Sequence, residues 1–246
     1  MQDRLTEIQS HYDRFLAEPY LWMAGGFDAN IQRNRDFFSG KDLVPHGSRA
    51  AVDLGAGCGF QSIPLARAGF SVAAVDFCRP LLAELEDRAG TSPVETIQSD
   101  ILNFPAWAKK SPELIVCMGD TLTHLRDLDD VRCLIHQCHV ELEPKGILIL
   151  SLRDYSYEPE GSVVVIPVRR DAQRIFLCRL EYARESVHVT DIIFSRESGR
   201  WERIASTYWK CRIAREVLAC ILSDAGFRIG LYETANGIIT MIAKKT

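Results

Sequence analysis

The amino-acid order predicts an α/β protein: a mainly parallel, doubly wound sheet with helices on both faces, interrupted after its fifth strand by an antiparallel β insertion. Three observations carry this. From residue 50 to residue 152, short apolar runs alternate with amphipathic helical stretches. The runs are apolar throughout instead of at every second residue, as strands covered on both faces are. From 156 to 211 the alternation stops, and β-branched and aromatic segments follow one another with turn residues between them.

Each element has its own justification. Over 3–17, Leu5, Ile8, Tyr12, Phe15 and Leu16 recur at helical spacing until Pro19 removes a backbone donor. Gly25 and Gly26 then break the chain before a second short helix at 29–38. Strands are expected at 50–54, 71–76, 94–98, 114–118 and 147–152, with helices at 63–68, 81–89 and 128–142. The insertion strands fall at 163–168, 174–182, 187–195 and 201–208, with Ser198-Gly199 among the turns. A helix at 214–225, closed by Gly226, leads to two last strands, 227–233 and 238–243, joined at Asn236-Gly237. The expected organisation is an N-terminal helical cap (1–48), an α/β core (49–155) completed by 212–246, and the insertion (156–211), which can serve as an acceptor lid or as a homo-oligomer interface. Its first strand is apolar on both faces, Val163, Val165 and Pro167 against Val164, Ile166 and Val168, so both faces are expected to be covered.

Composition narrows the function. The 246 residues are 47% hydrophobic and 25% charged, which excludes a disordered or collagen-like chain. Lys and Arg number 29 against 33 Asp and Glu, a net charge of −4 that gives no overall attraction for a polyanion, so no nucleic-acid partner is expected. The apolar runs are strand-length, far short of the roughly 20 residues of a membrane helix, and no secretory leader is read at the N-terminus; a cytoplasmic location is expected. The eight cysteines form no CxxC pair. Cys133, Cys138 and His139 share a helix whose apolar stripe is Val131, Leu134, Ile135, Cys138 and Leu142, so no metal is expected.

In a doubly wound sheet, ligands bind beyond the carboxyl ends of the strands, beside the first. The clearest signal there is Asp53-Leu-Gly55-Ala56-Gly57-Cys-Gly59, which follows a strand and opens a helix. A dinucleotide fingerprint needs G-x-G-x-x-G, but position 60 holds Phe60, and Asp53 places a carboxylate where a pyrophosphate would be repelled. A ligand with a cationic centre tolerates that carboxylate. Asp76, ending the second strand, is placed to accept hydrogen bonds from ribose hydroxyls, with Phe77 beside it; Asp100-Ile101 and Met118-Gly119 follow the third and fourth strands.

These residues resemble the class I S-adenosylmethionine-dependent methyltransferases over about residues 49–152. Residues 53–59 look like their glycine motif, Val75-Asp76-Phe77 like their ribose-binding acid, Gln98-Ser-Asp100-Ile101 like their adenine-contacting acidic motif, and Glu143-Pro-Lys-Gly146 like the turn before their fifth strand. The resemblance implies a seven-stranded, Rossmann-like sheet with 227–243 as its terminal hairpin, and S-adenosylmethionine as cofactor. A finer likeness, at Gly119-Asp120-Thr-Leu-Thr-His124-Leu and Leu152-Arg153-Asp-Tyr155, is similar to glycine and sarcosine N-methyltransferases. It implies that Arg153 holds an acceptor carboxylate through its planar fork. The position matching Asp120 is usually Asn in that family, and the carboxylate here favours a more cationic or hydroxylated acceptor.

The expected activity is in-line methyl transfer to a small-molecule amine or amino-acid-like acceptor, in which positioning is the main catalytic effect. Asp120 or a neutral His124 is the candidate to hold the leaving proton. Tyr20, Trp22 and Tyr155 are candidate acceptor contacts, and Arg33 or Arg35 is the candidate for the methionyl carboxylate of the cofactor. The alternatives are a Rossmann-type oxidoreductase with a nucleotide cofactor and a cofactor-binding protein without catalysis.

Overall fold

The computed structural model describes residues 4–108, 110–156, 161–197 and 199–246; Asp3 and Ser198, which belong to the expected segments, lie outside them. In chain order the helices are α1 (Arg4–His11, continued by a π-helical turn Tyr12–Leu16), α2 (Tyr20–Met23) and α3 (Phe27–Gly40). The core follows as β1 (Ala50–Leu54), α4 (Ser62–Arg67), β2 (Ser71–Asp76), α5 (Arg79–Ala89), β3 (Val94–Gln98), α6 (Phe104–Trp107), β4 (Leu114–Cys117), a 3-10 turn (Thr121–His124), α7 (Leu128–Glu141) and β5 (Ile147–Arg153). The insertion is β6 (Val163–Arg170), β7 (Arg174–Tyr182), β8 (Ser186–Glu197) and β9 (Arg200–Cys211). Then α8 (Arg215–Asp224), β10 (Phe227–Ala235) and β11 (Ile238–Lys245) close the chain.

The main sheet has seven strands in the order β3, β2, β1, β4, β5, β11, β10. Pairing is parallel from β3 to β5, and β11 runs antiparallel to both β5 and β10. Chain order reverses between β1 and β4, so the loops after these strands diverge and leave a crevice at their carboxyl ends. Val116 and Ile149, at the centre, are wholly buried, as strands clothed on both faces by α3, α4, α7 and α8 must be. The elements missing from the sequence reading, α2 and α6, have four residues each, too few to show a helical period.

The insertion forms its own four-stranded antiparallel sheet, β6 to β9 in order. One face packs Leu180, Val189 and Tyr208 against Ile8 of the N-terminal segment and Tyr155 of the core. The other face leaves Val163 and Val165, on edge strand β6, 42% and 53% exposed, so the expectation that both faces are covered is not met within this chain. The return to the core is held by Arg212, whose guanidinium donates to the carbonyls of Tyr155, Ser156 and Ala183.

Helix α7 starts at Asp127, whose carboxylate accepts from the Asp129 and Asp130 amides at 3.0 Å. These bonds hold its carboxyl below the usual range, so the stabilisation is complete at neutral pH and is lost as pH falls through that lowered value. Asp127→Ala is expected to cost about 1 kcal/mol and lower the melting temperature by about 2–4 °C at pH 7. The difference should close below roughly pH 4.

Candidate active site

After β1 the chain must turn sharply under the start of α4, and glycine is required there. A Cβ on Gly59 would sit 2.2 Å from Leu85 Cδ1, and one on Gly55 would sit 2.2 Å from Thr121 Oγ1. The Gly55 and Ala56 amides donate to Val75 O, which ties the loop to β2. Asp76 completes the tie: its two oxygens accept from Gly57 N and Cys78 N, both at 2.8 Å. Burial pushes its carboxyl up to about 6. Asp53, 1% exposed, lies beneath the loop and accepts from the Ser62 hydroxyl at 2.5 Å, with burial raising it to about 7.

Two adjoining cavities open at these strand ends. The first brings together Gly55, Ala56 and Gly57 with Asp76, Phe77, Asp100, Ile101, Met118 and Gly119. The sequence reading named all nine, from four separate loops. Ile8, Tyr12 and Tyr20 of the N-terminal segment cover them. Arg33 is not on this cavity; it is exposed on α3 and donates to Asn30 Oδ1. Arg35 lines a separate depression with Arg67. Asp53 acts from below the loop without lining the space.

The second cavity lies between the core and the insertion, with Asp120, Arg153 and Tyr155 on one side and Leu180, Val189, Asp191, Tyr208 and Lys210 on the other. Tyr12, Tyr20, Gly119 and His124 line both cavities and form their boundary. Trp22 lines neither. It packs under the Arg174 guanidinium, 4.5 Å from the ring centre, and pins α2 to the insertion.

Asp120 has a left-handed backbone, φ 83°, an uncommon conformation that Asp tolerates better than most residues. Its carboxylate has three donors of its own. Oδ1 accepts from Arg153 N at 3.0 Å; Oδ2 accepts from the Tyr155 hydroxyl at 3.0 Å and the Lys210 ammonium. The Thr123 hydroxyl donates to the Asp120 carbonyl at 2.7 Å and lies 3.1 Å from Oδ1. Burial, the largest single influence, would raise Asp120, but the Lys210 charge and hydrogen bond together with His124 and the Arg153 amide outweigh it and hold the carboxyl below its ordinary value. These bonds make Asp120 a structural hub that ties the end of β5, Tyr155 and Lys210 together.

His124 is buried, and burial, with the Lys210 charge next, pulls its ring down to about 3. It is neutral at pH 7. Its Nε2 is 3.2 Å from the Tyr12 hydroxyl, and its Nδ1 has no hydrogen-bond partner among the described residues. Arg153 points an exposed guanidinium at the second cavity with no carboxylate partner among the described residues, including neighbouring Asp154. Lys210, His11 and Asp191 were not read from the sequence. The expected strand 201–208 stops two residues before Lys210, whereas pairing of Lys210 with Val187 carries β9 on to Cys211. His11 Nε2 and Asp191 Oδ2 form a buried pair at 3.3 Å that joins α1 to β8.

A family model described as a methyltransferase domain matches residues 51–146. The glycine/sarcosine N-methyltransferase of Aphanothece halophytica is 32% identical over 117 residues, covering 47% of this chain and 44% of that protein. The enzyme of the same name from Parasynechococcus marenigrum is 28% identical over 166 residues, 67% of this chain and 55% of that one. The chain thus spans about half the length of the curated relatives it matches. Among solved structures, the CcbJ methyltransferase of Streptomyces caelestis superposes with a TM-score of 0.81 at 16% identity, covering 97% of this chain and 99% of that one. An S-adenosylmethionine-dependent methyltransferase of Clostridium acetobutylicum gives 0.73 at 16% identity, covering 99% of both chains. Residues 51–146 match a methyltransferase-domain model, and the fold is the Rossmann-like fold of the solved S-adenosylmethionine-dependent methyltransferases.

Because Asp53 is buried and raised, its ionisation opposes folding as pH rises from roughly 4 through about 7. Asp53→Asn keeps an acceptor for Ser62 and removes that ionisation. The melting temperature of the variant, relative to wild type, is expected to improve from pH 5 to about pH 7 and to level off by pH 8.

Proposed function

We propose that this chain is an S-adenosylmethionine-dependent methyltransferase that methylates the nitrogen of a small amine carrying an anionic group. The observation that carries the reading is the charge of the first cavity. Two carboxylates, Asp76 and Asp100, line it, with no lysine or arginine among the described lining residues. Such a cavity opposes the two negative charges of a dinucleotide pyrophosphate and suits a positively charged sulfonium.

The residues present fit that cofactor. Asp76 spends its two strongest bonds on the loop and keeps acceptor capacity for a ribose diol. Phe77 and Ile101 supply apolar walls for the adenine, with Asp100 at its edge. A Cβ on Gly119 would meet nothing within 4 Å, so the boundary between the cavities stays open there. When bound, S-adenosylmethionine supplies an electrophilic methyl group, for which no protein nucleophile is needed.

The chain's own work is alignment and exclusion of water. Arg153 holds the acceptor's anionic group by a charge-assisted fork. Tyr12, whose hydroxyl donates to the neutral His124 Nε2 on the boundary, accepts from the amine N–H and turns its lone pair toward the first cavity. A ring held at about 3 takes no proton at neutral pH, so the acceptor binds as the free amine and its surplus proton leaves to solvent after transfer. Relatives named as N-methyltransferases support nitrogen as the acceptor atom. Eight cysteines, all free, support a reducing compartment, the cytoplasm.

S-adenosylhomocysteine at about 100 times its Kd is expected to stabilise the protein by about 2.7 kcal/mol, a rise of roughly 5–10 °C, with none from NAD(H). The reverse pattern would remove the reading. Because burial holds Asp76 at about 6, affinity for S-adenosylhomocysteine should weaken as pH falls from 7 to 5, and Asp76→Asn should abolish that dependence.

A further inference from the structure

Lys210 is a buried charge that the cofactor chemistry does not use. It stands on the cavity-facing side of β9 with its side chain 8% exposed. Its ammonium donates to Asp120 Oδ2 and lies 5.5 Å and 5.8 Å over the rings of Tyr155 and Tyr208. A desolvated ammonium is tolerated only with such partners, and here they engage it on three sides. Lys210 is therefore committed to the wall and is not free to grip a ligand.

The pairing decides what charge an acceptor meets. A carboxylate at position 120, alone at the boundary, would draw cations to the second cavity and oppose anions. Paired with Lys210, it is neutral. The cavity's other carboxylate, Asp191, faces the His11 ring from α1 and the Tyr208 hydroxyl from β9, each 3.3 Å from Oδ2. Asp191 also lies four residues along β8 from Val187, the partner of Lys210, which is about 13 Å along the strand. The remaining cation of the cavity is Arg153, which has no carboxylate partner among the described residues. Asp120 also fixes where Arg153 begins, since its Oδ1 accepts from the Arg153 amide.

We propose that Lys210 is a positioning residue that sets acceptor specificity: by neutralising and fastening Asp120, it leaves Arg153 unopposed and makes the second cavity select acceptors that carry an anionic group. This rests on the methyl-transfer reading above. It runs opposite to the sequence expectation that the carboxylate at position 120 favours a more cationic or hydroxylated acceptor.

The test compares wild type with Lys210→Met, Asp120→Asn and the double variant Asp120→Asn/Lys210→Met, in which both charges are gone. Each protein is loaded with S-adenosylhomocysteine and titrated calorimetrically with amines that differ only in a carboxylate: glycine against methylamine, sarcosine against dimethylamine, and 3-aminopropanoate against ethylamine. Wild type is expected to bind the carboxylate-bearing member of at least one pair about tenfold more tightly or better. Lys210→Met should lose that preference and melt about 10 °C lower, and the double variant should regain most of both, because the stranded charge and not the lysine's bulk is at fault. Affinity for S-adenosylhomocysteine should stay within about threefold throughout, since Lys210 does not line the first cavity. The proposal is overturned if wild type shows no carboxylate preference, if Lys210→Met retains it, or if the double variant is no better than Lys210→Met. Failure of wild type to bind S-adenosylhomocysteine would instead remove the methyl-transfer reading itself.

Discussion

One carboxylate holds the two halves of the molecule in register. Asp120 sits at the end of β4 and accepts from the backbone where β5 ends, from the Tyr155 hydroxyl just beyond, and from Lys210 on the last strand of the insertion. Among the described residues the main sheet and the insertion sheet share no strand pairing, so their relative placement rests on side chains, among them this buried ion pair, the Arg212 guanidinium on the Tyr155, Ser156 and Ala183 carbonyls, the apolar contacts of Leu180, Val189 and Tyr208, and the His11–Asp191 pair. Apolar contacts hold the sheets together but are indifferent to small slides. A charge pair whose carboxylate also accepts from the Arg153 amide and the Tyr155 hydroxyl fixes one geometry, which is the best-attested use of buried polar groups.

That geometry sets how the two cavities meet. Their shared wall consists of Tyr12, Tyr20, Gly119 and His124, and its polar groups are neutral at physiological pH: burial raises both tyrosines and lowers the histidine. A neutral wall between an acidic cavity and one containing a guanidinium without a carboxylate partner among the described residues favours a cationic group on one side and an anionic group on the other, with little field to trap a proton between them. This suits proposed chemistry in which position and the exclusion of water do most of the work.

Much of this was legible in the sequence, for identifiable reasons. Apolar strands and the Gly55-Ala56-Gly57 turn are local signals, and the strand-end residues Asp76, Asp100 and Gly119 follow once a doubly wound sheet is recognised, because topology brings those ends together. What stayed hidden depends on packing between distant segments. Lys210 meets Asp120 across ninety residues, and His11 meets Asp191 across the whole core. Nothing in the neighbourhood of either residue marks it. Trp22 shows the opposite failure: an aromatic in the right segment that turns toward Arg174 and away from the cavities. The exposed valines of β6 follow from the edge position of that strand, which apolar alternation alone does not reveal.

The most direct measurement is methyl transfer itself. The protein would be incubated with S-adenosylmethionine carrying an isotopically labelled methyl group and a panel of primary and secondary amines with and without a carboxylate, and the products read by mass spectrometry. Label is expected on the nitrogen of a carboxylate-bearing amine, with one S-adenosylhomocysteine formed per methyl transferred and a rate that rises with pH through the acceptor's own pKa, without an inflection from His124. Label on oxygen, transfer confined to amines lacking an anionic group, or no transfer by protein that binds S-adenosylhomocysteine would contradict this expectation.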